Sequence, residues 1–231
     1  GFQGIWLNTT RPPFNNKLVR QAVAETIDRN AVVSVVFRNL AKPAAGPFPP
    51  GTPAYSTSIK VASPNIPDAR KKLQQAGASN LSFTLIAATG TVTSQLAQVY
   101  QAMMAEAGIT MKIELMDNGA LSNRATTFNF DAALLNWSGR VDPDGNIYDW
   151  VRTGGTYNYG RYSNKDVDAL LARARLQNAM SARKATYNVA VGKVLNDMPY
   201  IWVYHQNLIY GLNKNLSGLK PIPDGILRFK D

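Results

Sequence analysis

Eleven residues at 136–146, NWSGRVDPDGN, bring together one tryptophan, one arginine, two aspartates and two glycines directly after the apolar run AALL. Three chemistries could use them. The first is cation binding, because Asp142-Pro143-Asp144-Gly145-Asn146 opens like a calcium loop. Such a loop needs glycine at its sixth position and a bidentate glutamate at its twelfth, where this chain has Ile147 and Thr153. Asp-Pro and Asp-Gly pairs are ordinary turn formers, so no metal site is expected. The second is acid–base catalysis by Asp142 and Asp144, against which turn aspartates this close together are usually solvated. The third is recognition. Trp137 offers an apolar wall, Arg140 a planar cation, and Gly139 a backbone that another chain can approach closely.

Other reactive residues are few. The single histidine, His205, lies in an apolar run and reads as a structural or pocket-wall residue rather than a base. There is no cysteine and no G-x-S-x-G elbow. Gly154-Gly155 and Gly160 lack the lysine and spacing of a phosphate loop. The residues make no case for an enzyme, and no cofactor is implied. A second recognition set follows the first: Tyr157, Asn158, Tyr159, Arg161 and Tyr162 share a Gly/Tyr/Asn segment. The plainer alternatives stay open, with Trp137 as core and Arg140 as a solvated charge.

The elements that must position these residues alternate. A short strand-like run at 4–10 precedes one helical stretch reaching Phe37, with Val19, Val23 and Ile27 at near-helical spacing and Asn15 or Asn16 as its N-cap. Residues 40–58 are rich in Pro, Gly and Ala and read as irregular. Helices are expected at 67–76, stopped by Gly77, and at 92–107, stopped by Gly108. Two more follow at about 164–177 and 181–196, with Asn164 and Ser181 as caps, after a short one near 119–126. Strands are expected at 81–88, 109–116 and 130–137, and 199–212 returns to extended structure. This alternation predicts an α/β domain with a mixed or mainly parallel sheet flanked by helices. Ligands of such sheets sit beyond the carboxyl ends of strands, which is where NWSGRVDPDGN falls.

Composition adds bounds. The chain of 231 residues has 25 Lys+Arg against 15 Asp+Glu, a formal charge of +10 that invites an anionic partner. The basic residues are dispersed, with Arg70-Lys71-Lys72 the densest group, and no aromatic-and-basic stripe accompanies them. Nucleic acid is therefore kept only as an alternative partner. No apolar run reaches the roughly 18 residues a membrane span needs. The first residues, GFQGIWLNTT, show no basic region followed by an apolar one, so no secretory signal is read in them.

The segment NTTRPPFNNKLVRQAVAETIDRNAV at 8–32 resembles a signature of the family 5 extracellular solute-binding proteins of ABC importers, the dipeptide/oligopeptide/nickel-binding group. The later segments agree in order: LAQVYQAMMAEAGITMKIELM at 96–116, FDAALLNWSGRVDPDGN at 130–146, YGRYSNKDVDALLARAR at 159–175 and PYIWVYHQN at 199–207. The resemblance implies a periplasmic-binding-protein type II lobe. It also implies a role in binding and delivery rather than chemistry, with a peptide or small-molecule ligand, an ABC permease partner and a periplasmic or extracellular, membrane-associated location. A family-related signalling receptor is the alternative.

The same resemblance places this chain in the C-terminal half of a two-lobed protein. It assigns 1–204 to the second lobe and 205–231 to a segment crossing back to an N-terminal lobe that is missing here. A monomer is the default expectation. In peptide-binding members the positions matching Asn136, Trp137, Ser138 and Gly139 run beside the ligand, whose main chain pairs there as an added strand. Three residues after the tryptophan those members carry an aspartate for the peptide's α-amino group, and here that position is Arg140. The reversal exchanges an ammonium partner for a carboxylate or phosphate. Gln206, beside His205, stands where the family places an aromatic ligand contact.

Overall fold

The structure, a computed structural model, describes residues 1–215, 218 and 219. Six strands form one sheet: β1 (Phe2–Leu7), β2 (Ala41–Pro43), β3 (Ser82–Ala88), β4 (Thr110–Met116), β5 (Ala132–Trp137) and β6 (Tyr200–Gln206). Their order across the sheet is β2-β6-β1-β5-β3-β4. β3 runs parallel to β4 and β5, whereas β1 is antiparallel to both its neighbours, β5 and β6. The sheet is therefore mixed, as expected.

Alternation of side chains along the strands divides the interior in two. Ile5, Leu7, Leu85, Leu134, Ile201 and Val203 join an aliphatic cluster under α1 (Lys17–Glu25), α2 (Arg29–Phe37), α3 (Ile66–Gln75) and α4 (Thr91–Ala105). Phe2, Trp6, Ile86, Ala133, Tyr200 and Trp202 face the other way. They pack on α5 (Asn118–Thr126), α6 (Tyr148–Val151), α7 (Lys165–Arg175) and α8 (Met180–Asp197). This second face is strongly aromatic. Trp6 lies 4.0 Å from Tyr200 and 5.0 Å from Trp150, ring centre to ring centre.

Several local expectations hold. Asn16 and Asn164 cap α1 and α7 through their side chains, and Gly77 and Gly108 take the left-handed φ, +65° and +83°, that ends a helix. Others do not. The helical stretch ending at Phe37 is two helices, because Asp28 accepts from the amides of Asn30 and Ala31 and starts a new one. Ser181 does not cap α8, which begins at Met180 after Ala179 with no side-chain cap. The irregular segment 40–58 contains β2, paired antiparallel with the end of β6. Within the basic group 70–72, Lys72 is engaged by Glu25 and Asp68 rather than left as a free charge. Of the segment 205–231, His205 and Gln206 belong to β6, while 216, 217 and 220–231 lie outside the described residues.

Candidate ligand site at the end of the central strands

Strand directions place the C-terminal ends of β3, β4, β5 and β6 at one edge of the sheet, with the N-terminal end of β1 between β5 and β6. The pairing of β5 is asymmetric there. β3 covers only Ala132, Ala133 and Leu134, whereas β1 continues to Trp137 through the pairs Gly4–Leu135, Gln3–Asn136 and Phe2–Trp137. Among the described residues, Asn136 and Trp137 have a strand on one side and none on the other. A short piece of sheet edge is left open, and an extended ligand backbone can hydrogen-bond to such an edge.

The loop after β5 is held by one side chain. Asn146 is buried, 3% exposed, and its Oδ1 accepts from the Arg140 amide at 2.8 Å and from Trp137 Nε1 at 3.1 Å. Its Nδ2 donates to the Arg140 carbonyl at 2.7 Å. Gly139 turns the chain at φ +90°, a conformation that carries a steric penalty for other residues, with the backbone of Gly1 close against it. The Arg140 guanidinium lies 4.0 Å over the Trp137 ring and donates to the Gly139 carbonyl at 2.7 Å and the Ser138 hydroxyl at 3.3 Å. Among the described residues it meets no carboxylate within ion-pair distance.

The aspartates of the loop behave differently. Arg183 grips Asp142 through two bonds at 2.7 and 3.0 Å, and Arg175 grips Asp144 at 2.7 and 2.9 Å. The Arg183 hydrogen bonds hold the Asp142 carboxyl below its ordinary value, against a smaller opposing effect of burial. These pairs pin the 3-10 turn Pro143–Asn146 to α7 and α8, beside an open cleft of about 710 Å³ whose walls include Arg140, Gln177 and Asn178. The carboxylates are engaged as anchors, which is a structural use rather than acid–base chemistry.

Aromatic side chains form a continuous surface from this rim into the core. Trp137 packs edge-on to Trp150 at 4.9 Å and against Tyr157 at 5.3 Å, and Trp150 stacks on Tyr157 at 4.9 Å. Tyr159 follows at 6.5 Å from Tyr157. Trp137 is half-buried, with one part packed on the aromatic core and the rest accessible at the rim.

Asn158 does not join this surface. It is buried, and its amide donates to the carbonyls of Arg152 and Tyr162 while its oxygen accepts from the Tyr162 amide, so the residue organises its own turn. Arg161 sits over Phe128 and Tyr162 donates to Asp197 at 2.6 Å, both away from the rim.

His205 and Gln206 reach the same edge on the other side of β1, about 10 Å away across two strand spacings. His205 is buried, 3% exposed, with Nδ1 2.9 Å from the Gly1 carbonyl. Burial lowers its pKa to about 4, so the ring is neutral near pH 7. Gln206 is exposed. Residue-type reasoning passed over Asn146. The available signal was an asparagine following a Gly-bearing turn, which reads as a turn former unless its non-local partners are known.

The family model described as "Bacterial extracellular solute-binding proteins, family 5 Middle" matches residues 1–159, and the chain belongs to this family. It is 28% identical to Di/tripeptide-binding protein 2 of Pseudomonas aeruginosa, covering 94% of this chain and 42% of that protein. With Glutathione-binding protein GsiB of Shigella dysenteriae it shares 30% identity over 98% of this chain and 46% of the relative. The periplasmic binding protein DppA from Helicobacter pylori, solved in complex with the peptide STSA, superposes with a TM-score of 0.82 at 28% identity, over 88% of this chain and 42% of that one. The fold is that of a type II periplasmic binding protein. The chain spans about half the length of the curated relatives it matches.

Proposed function

We propose that this chain is the second ligand-binding lobe of an ABC importer's solute-binding protein, which captures a peptide-like or anionic small solute and delivers it to a membrane permease. On this reading residues 1–204 supply the lobe and 205–231 return the chain towards a first lobe. The protein works outside the cytoplasmic membrane, in the periplasm or on the cell surface. The observation that carries the reading is the open edge of β5 at Asn136 and Trp137, ending in an arginine with no carboxylate beside it among the described residues. A main chain pairs with such an edge whatever its side chains, while Trp137 and Tyr157 cover an apolar group and Arg140 meets a carboxylate or phosphate.

The coverage of relatives is what one lobe of a two-lobed protein gives, and ligand closure then needs both halves. The relatives' names, a di/tripeptide binder and a glutathione binder, describe solutes with peptide bonds and carboxylates. Nothing in the site calls for bond-making chemistry, since Asp142 and Asp144 are paired and His205 is buried and neutral.

Native mass spectrometry of the full-length protein, with the co-purified solute released and identified, tests the reading. The expected species carries peptide bonds, a carboxylate or a phosphate. A neutral sugar as the retained solute would overturn it.

A further inference from the structure

We infer that Asn146 is the positioning residue that presets Trp137 and Arg140, and that it thereby sets the charge preference of the site. The inference rests on the reading of Arg140 as an anion contact and deepens it.

The Asn146 amide makes two bonds to one residue, accepting from the Arg140 N–H and donating to the Arg140 C=O. That pair fixes the orientation of the Arg140 backbone as a neighbouring strand would, in a loop that has none. The same Oδ1 takes the indole N–H of Trp137, so the ring under the guanidinium is fixed by the atom that fixes the backbone above it. Gly145 completes the seat. A Cβ there would lie 2.8 Å from Arg140 Cγ and 2.9 Å from its Cβ, so the aliphatic stem rests directly on the Gly145 backbone.

The paired aspartates 142 and 144 then hold the turn carrying Gly145 and Asn146 to α7 and α8. The cation is in place before any ligand arrives, so less ordering is needed when one binds. Asn146 itself is buried and does not contact the solute; it acts through the two residues that do.

The test uses the full-length protein and two near-isosteric probes that differ in charge at one end, N-succinyl-trialanine and its terminal carboxamide, N-succinamoyl-trialanine. Their ratio of dissociation constants is read by titration, and the exchange rates of the Arg140 amide and Trp137 indole protons are read by NMR. Wild type is expected to favour the succinyl probe about tenfold, the scale of one charge-assisted contact. Asn146→Ala should bring the ratio close to one and speed exchange of both protons.

Asn146→Asp keeps the acceptor but loses the donor and sets a carboxylate beside the guanidinium. Exchange should stay near wild type while the ratio falls. If the alanine form does not fold, Asn146→Leu, of similar volume and with neither donor nor acceptor, takes its place, and the same fall in ratio and faster exchange are expected. A merely structural asparagine would weaken both probes equally, and an unchanged ratio in the folded variants overturns the inference. Arg140→Gln separates the two claims. If wild type shows no preference, or Arg140→Gln leaves it intact, the anion reading fails. If Arg140→Gln abolishes the preference and the Asn146 variants keep it, only the role of Asn146 fails.

Discussion

The two ends of the central strands meet the same requirement, pairing the backbone where strands stop, in opposite ways. At the end reached by Leu7, the chain closes on itself. Asn8 donates to the carbonyls of Phe128 and Phe130, its own amide bonds to Asp131, and Thr9 takes the Gly160 carbonyl through both its amide and its hydroxyl. Gly160 comes so near that a Cβ would sit 2.5 Å from the Leu7 carbonyl oxygen. At the end reached by Trp137, β5 outruns β3 and its outer edge is left without a strand. The closed end satisfies its polar groups within the chain, whereas at the open end Asn136 and Trp137 have a strand on one side only among the described residues, which is the edge the proposed ligand would use. Substitutions at the two ends should therefore separate into those that lower stability and those that lower affinity.

The largest effect expected is at the closed end. Asn8→Ala removes both donors from two carbonyls in a buried or half-buried setting and should cost about 3 kcal/mol in urea denaturation. Ligand preference should be unchanged. A loss of affinity larger than the loss of stability explains would break the comparison.

His205 is the exception that sharpens it, a buried group at the open end. Its pKa falls to about 4 in the folded chain because burial disfavours the charged ring. Unfolded, the ring binds its proton as pH drops through about 6.5. The folded form binds fewer protons between about 6.5 and 4, so stability is full above that window and falls by about 1.4 kcal/mol per pH unit within it. The total is roughly 3 kcal/mol, and denaturation at pH 7, 5.5 and 4.5 should show it. A His205→Gln variant should show a correspondingly shallower slope.

Arg140→Gln should move stability by less than about 0.5 kcal/mol, since the side chain is exposed, while removing a tenfold charge preference worth about 1.4 kcal/mol. Paired titrations and melts measure both. The smallest effect belongs to Asp144→Asn, which breaks an exposed pair with Arg175 and should cost about 0.5 kcal/mol or less.

Which parts of this architecture were legible in the residues follows from how local each determinant is. Asn16, Asn164, Gly77 and Gly108 act within a turn of their own position, and the helix ends they mark were read correctly. The break at Asp28 was hidden because apolar spacing runs through it, and the competing signal is a single capping carboxylate. β2 has three residues, too few to show a period, and exists because β6 offers it an edge. The insertion of β1 between β5 and β6 is a long-range choice that no local pattern encodes.

At the site the difference is similar. Trp137, Arg140 and Gly139 stand out by type and position, and they meet at one edge. Asn158 has the right composition and neighbours, yet its amide closes its own turn, which depends on Arg152 and Tyr162 coming round to it. Asn146 was missed for the converse reason, because its value lies in three bonds made back to residues six and nine positions earlier.

The proposed function turns on a ligand main chain pairing with the open edge of β5 at Asn136 and Trp137. Hydrogen–deuterium exchange of the full-length protein with and without trialanine tests it most directly. Amides within Asn136–Gly139 should become protected when the peptide is present, while those around Asn8 at the closed end should not change. Peptide binding with no added protection anywhere in Asn136–Gly139 would contradict it.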